Sequence, residues 1–191
     1  MQLRTISRRG FTLVEALVST TIAAVAGAAL LQGVYSSIGD TRSGQEQTIA
    51  AGLAQQMMDE IAGKMYAATT NTAGVGRSKF NDIADYNNIR STPPLDPWGV
   101  AVGDDDGRGT SSASSGLRHP SFRLSSALST WRREVDVYYV NPADMTTRLT
   151  GAPTANNNCQ MVEVRIYVTD AGGNSRLVTT LKRVFSFVPT T

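Results

Sequence analysis

The sequence predicts an α+β fold: a long N-terminal helix packed on a small antiparallel sheet near the C-terminus. Three observations carry it. From Phe11 to Leu31 there are 21 residues with a single charge, Glu15. Apolar residues then recur at three- and four-residue spacing, as Ile49, Leu53, Met57, Met58, Ile61 and Met65, the period of a helix with one buried stripe. Towards the C-terminus the period changes to two. Val162, Val164, Ile166 and Val168 alternate with Glu163, Arg165, Tyr167 and Thr169, as in a half-buried strand.

The first element, over residues 11–35, is apolar on every side. At about 1.5 Å per residue, such a helix spans a hydrocarbon core of about 30 Å. Arg4, Arg8 and Arg9 precede the run and no acid does, so the positive-inside rule leaves the N-terminus cytoplasmic. Glu15 is the anomaly. An ionised side chain at the centre of a membrane helix costs about 2.5–3.5 kcal/mol, so it calls for a named partner. If the chain is cut after Gly10, Phe11 carries a free α-amino group and Glu15 lies one helical turn away.

The stretch Arg9-Gly10-Phe11-Thr12-Leu13-Val14-Glu15 resembles the class III signal of type IV pilins and type II secretion pseudopilins. The resemblance implies that residues 1–10 are a basic leader removed by a prepilin peptidase. The cut falls between Gly10 and Phe11, Phe11 is N-methylated, and Glu15 neutralises a neighbouring subunit's amine during filament assembly. Two blander readings compete. A secretory signal peptide has a shorter apolar core with a small-residue cleavage site after it, whereas Ala26-Gly27-Ala28 is embedded in the run. A plain membrane anchor needs neither Glu15 nor the Gly-Phe junction.

The next element, residues 36–68, is an amphipathic continuation of the helix, with its stripe over roughly 45–66 and polar residues such as Gln55, Asp59 and Glu60 on the other faces. Gly39 and Gly44 weaken it, at about 1 kcal/mol each relative to Ala. A kink or a locally melted stretch is expected between them. The methionines read as core rather than as a promiscuous binding groove.

Residues 69–129 form a variable connecting region. Phe80, Ile83 and Tyr86 allow one short helical turn, and Thr92-Pro93-Pro94-Leu95-Asp96-Pro97-Trp98-Gly99 must be extended and turning. Trp98 is expected to pin this loop to the sheet. Gly103-Asp104-Asp105-Asp106-Gly107 is the one stretch with a metal-ligand look, since calcium takes six to eight oxygens. Major pseudopilins are similar in carrying a calcium site. The spacing here lacks the alternate-position ligands of an EF-hand, so Asp104, Asp105 and Asp106 read as a solvated turn, with calcium the weaker reading. His119, the sole histidine, precedes Pro120 and has no cysteine or second histidine nearby.

Residues 130–191 are the antiparallel sheet: a strand over about 131–140, an exposed loop from 141 to 160, and a hairpin turning at Asp170-Ala171-Gly172-Gly173-Asn174 and returning through Leu177 to Phe187. Cys159 is the only cysteine, so no internal disulfide forms; it reads as buried and inert. The family's members often close a C-terminal loop with a disulfide, and this chain departs from them.

Removing the leader takes the formal charge from +2 to −1, which gives no general nucleic-acid signal. Arg118, Arg123, Arg132 and Arg133 would be the candidates for a DNA-binding competence pilin, but read as ordinary solvated arginines. No phosphate loop, nucleophile elbow or zinc-protease motif is present, so the reading is structural and not enzymatic. The layout leans towards a minor pseudopilin or minor pilin of a type II secretion pseudopilus or a type IV pilus-like filament. The resemblance implies a bacterial inner-membrane protein with a periplasmic C-terminal domain. Its partners would be prepilin peptidase, other pilins or pseudopilins, and an assembly platform. The alternative is a stand-alone membrane-anchored protein with an outward-facing binding domain.

Overall fold

The computed structural model describes residues 12–66, 76–105, 117–150 and 159–186. The chain divides into two compact units, Met1–Gln45 and Glu46–Thr191. The helix α1 (Leu13–Ala62) begins in the first and ends in the second. Residues 39–44 are helical throughout, so the locally melted stretch expected there is not found. Backbone hydrogen bonding outweighs the glycine penalty at isolated positions.

In the second unit, α1 buries Ala50, Leu53, Ala54, Met57, Met58 and Ile61. This is the predicted stripe with different ends. Ile49 and Met65 are exposed at 43% and 62%, and two alanines take part instead, since a small side chain lets the sheet approach the helix. The helix stops at Ala62, short of the predicted residue 66. Beyond it, the Met65 N–H donates to the Asn81 carbonyl at 3.2 Å and the Ile83 N–H to the Met65 carbonyl at 3.0 Å. That bridge draws Met65 out of the helix.

Five antiparallel strands make the sheet: β1 (Ile89–Ser91), β2 (Trp131–Asn141), β3 (Asp144–Leu149), β4 (Cys159–Thr169) and β5 (Ser175–Ser186). Their order is β1-β2-β4-β5, with β3 also on β2. The long pairings set Val135 opposite Val164 and Val164 opposite Leu181. Val135, Val137, Val162, Val164 and Ile166 join the helix stripe, Ile83, Tyr86 and Trp131 in one core. This is the predicted α+β layout, a helix on a small antiparallel sheet.

Two strands come from segments expected to be loop. β1 lies within residues 69–129, and β3 lies within the connection expected from 141 to 160. Neither shows alternation. β1 has three residues, and β3 is exposed along nearly its whole length, so no buried face imposed a period on its sequence. The short turn at Ala84–Tyr86 matches the predicted one. Cys159 is buried and free.

Candidate assembly site

Within the first unit, Thr12 starts the helix. Its hydroxyl accepts the Glu15 N–H at 3.3 Å and its carbonyl accepts the Ala16 N–H at 3.1 Å. Thr12-Leu13-Val14-Glu15 is thus an N-cap with an acid three residues on, where the helix dipole favours negative charge. Sequence reading weighed Glu15 only as an assembly residue and missed the cap, although the T-x-x-E spacing signals it. Gly10 and Phe11 lie outside the described residues. Glu15 is exposed, and among the described residues its carboxylate has no ion-pair partner.

Around Glu15 the helix surface is apolar. Leu13, Val14, Leu17, Val18, Ile22, Val25, Leu30, Leu31, Val34, Tyr35 and Ile38 are all exposed. Two hydroxyls among them are satisfied by their own helix: Thr20 donates to the Leu17 carbonyl at 2.9 Å and Thr21 to the same carbonyl at 2.6 Å. Such hydroxyls cost little in lipid. The helix is long and apolar enough to cross a membrane, and none of its apolar window is buried. What remains is an apolar helix surface with one carboxylate, that of Glu15, near its start.

Two places in the second unit gather several charges each. On the outer sheet face, Arg90 pairs with Asp136 at 2.7 Å, Arg165 with Asp136 and, at 3.3 Å, with Glu134, and Lys182 with Glu163 at 3.5 Å. Asp136 stands directly opposite Glu163 across β2 and β4. That like-charge contact is offset by Arg165 and Lys182.

The other place is internal, and it corrects the sequence reading of Arg133, which is not a solvated arginine. Arg133 is fully buried. Its guanidinium donates to the Leu95 carbonyl, and at 3.4 Å to the Leu53 carbonyl and to Gln56 Oε1. Arg77 also donates to the Leu95 carbonyl, at 2.5 Å, and pairs with Glu60 at 3.1 Å; Tyr86 donates to Glu60 at 2.9 Å. Burial pulls the Arg133 pKa down to about 10, and the Arg77 charge pushes the same way against Glu60 and Asp96. Burial, then the charge of Glu60, drives the Tyr86 phenol far above its ordinary value.

The other sequence candidates are dispersed. Arg118 donates to the Asp105 carbonyl and Arg123 to the Arg118 carbonyl, both at 2.8 Å, and Arg132 stacks over Tyr167 at 4.6 Å. His119 caps the short turn Pro120–Phe122, its Nδ1 accepting the Ser121 N–H at 3.4 Å. Asp104 is buried, Asp106 lies outside the described residues, and among the described residues no group of three acids, histidines or cysteines gathers as a metal site. Gly103 has a packing reason: at φ +90° an added Cβ would sit 2.7 Å from the Leu124 Cβ. Trp98 is 41% exposed and does not pin its loop. Asp96 holds the loop instead, its Oδ1 accepting the Trp98 and Val100 N–H groups at 2.9 and 2.8 Å.

Residues 6–31 match the family model described as the prokaryotic N-terminal methylation motif. The chain therefore carries the class III signal shared by type IV pilins and pseudopilins, a structural family. Neither the curated proteins nor the solved structures give a match to this chain.

Proposed function

From a methylation motif that runs into an exposed apolar helix, we propose that the chain is a structural filament subunit. The specific reading is a minor pseudopilin of a type II secretion pseudopilus, or the equivalent subunit of a type IV pilus-like filament. One observation carries it: the motif at residues 6–31 leads into a helix whose large apolar residues from Leu13 to Ile38 are all exposed. A surface of that kind is covered by lipid before assembly and by other helices after it.

In this reading prepilin peptidase cuts between Gly10 and Phe11, and Phe11 is methylated. The chain then waits in the inner membrane with its C-terminal unit in the periplasm until the assembly platform extracts it. Glu15 meets the Phe11 amine of a neighbouring subunit. In low dielectric an unpaired member of such a pair costs several kcal/mol, which penalises wrong register. The role calls for no catalysis and no cofactor, calcium included.

Peptide mass spectrometry of protein from native membranes tests it. The expected N-terminal peptide begins at a methylated Phe11. An intact Met1, or an N-terminus beyond residue 28, would overturn the reading and leave a plain anchor or a secreted domain.

A further inference from the structure

The outer sheet face carries more positive charge than its ion pairs use. Arg90 on β1, Arg132 on β2 and Arg165 on β4 converge on Glu134, at 3.7, 3.3 and 3.3 Å. Asp136 accepts from Arg90 and Arg165 as well. Three guanidiniums thus share two carboxylates, which leaves one positive charge over. A second excess lies further along β2. Arg148 on β3 stands opposite Val140 and stacks over the Tyr138 ring at 4.5 Å, and among the described residues it has no ion-pair partner. Asp144, four residues back along β3, is bonded instead by the Thr146 and Thr147 hydroxyls at 2.6 Å each.

The two signs also differ in depth. The side chains of Glu134, Asp136 and Glu163 are 12%, 18% and 15% exposed, whereas those of Lys182, Arg90 and Arg132 are 52%, 37% and 36% exposed. Acids lie low and hold the cations up, so an incoming partner meets guanidinium and ammonium first. Charge complementarity therefore asks for an acidic partner. A nucleic-acid strand carries a charge about every 3.4 Å and would bring phosphates over the three acids too. Separate carboxylates of a protein segment can stand over the cations alone, and the guanidinium fork matches a carboxylate.

We propose that this face docks an acidic protein segment lying along β2, with one carboxylate at the Arg90, Arg132 and Arg165 group and another at Arg148. Glu134 and Val140 are six residues apart on one strand, so the two points are about 20 Å apart. The inference does not depend on the filament reading.

The test uses the full chain in phosphatidylcholine nanodiscs and fluorescein-labelled poly-L-glutamate as probe, read by fluorescence anisotropy, with labelled poly(dT) for comparison. Wild type is expected to bind poly-L-glutamate more tightly than poly(dT), and less tightly as salt rises. Arg132→Gln and the exposed Arg148→Gln should each weaken binding by about threefold or more. Lys79→Gln, at an exposed cation off the sheet, should leave it unchanged, and all three should keep the wild-type circular dichroism. No binding by wild type, equal weakening by Lys79→Gln, full binding by Arg148→Gln, or a preference for poly(dT) would each overturn the assignment.

Discussion

Arg133 shows how far one side chain can escape a sequence reading. It lies between Arg132 and Glu134 in a strand, and nothing local marks it as inward-facing. Only the alternation Trp131, Arg133, Val135, Val137, buried in turn, puts it on the core face. There it bonds the helix through Leu53 and Gln56 and the proline loop through Leu95, so it ties three chain segments together. Removing a buried, hydrogen-bonded ion leaves its partners stranded. Arg133→Ala should therefore lower stability by about 3 kcal/mol, seen as a fall in the urea midpoint followed by tryptophan emission. Tyr86 gives a second check. Its pKa is raised in the folded state, so its contribution is fully present below the unfolded value of 10.0 and is lost as pH rises towards the folded value. In an alkaline titration followed by tyrosinate absorbance, part of the signal should appear only with unfolding. Tyr86→Phe should shrink that late phase.

At the scale of elements, the helix has two jobs with different residues. Its stripe holds the sheet, and Ile61→Ala, at a fully buried position, should cost about 2–5 kcal/mol by cavity formation, read by the same urea unfolding. Its N-terminal portion is the candidate assembly element. Glu15→Ala should leave cleavage and methylation of Phe11 intact while reducing incorporation into filaments, measured by fractionating sheared filaments from membranes. Normal incorporation would remove Glu15 from the mechanism, leaving it the helix-start role that its position after Thr12 supports. The β4–β5 hairpin is closed by Asp170, whose carboxylate accepts N–H groups of Gly172 and Asn174 at 2.9 Å each. Chiefly through the Asn174 N–H, these bonds hold its pKa below 3.8. A depressed folded value means stability present above the unfolded value and lost as pH falls through the folded one. Asp170→Ala should accordingly be less stable than wild type at neutral pH, with the gap closing in acid.

At the scale of the whole molecule, the N-terminal segment that matches the methylation motif and the folded unit were not equally legible. The methylation motif and the apolar run were readable because such a signal is local: each residue acts through its own polarity and its place in one helix. The helix stripe and the β4–β5 hairpin were readable for a similar reason, since a single buried face imposes its period on the sequence. Local pattern could not show the short strand Ile89–Ser91, the exposed strand Asp144–Leu149 or the exposure of Trp98. Nor could it show the internal grouping of Arg133, Arg77, Glu60 and Tyr86, where Tyr86 meets Glu60 from 26 positions away and Arg133 and Arg77 share the Leu95 carbonyl from 38 and 18 positions away. Sequence by itself determined the signal, the membrane-length helix and the α+β class. Tertiary structure alone decided which charges are buried and which gather on the outer sheet, because those depend on which distant segments share a face.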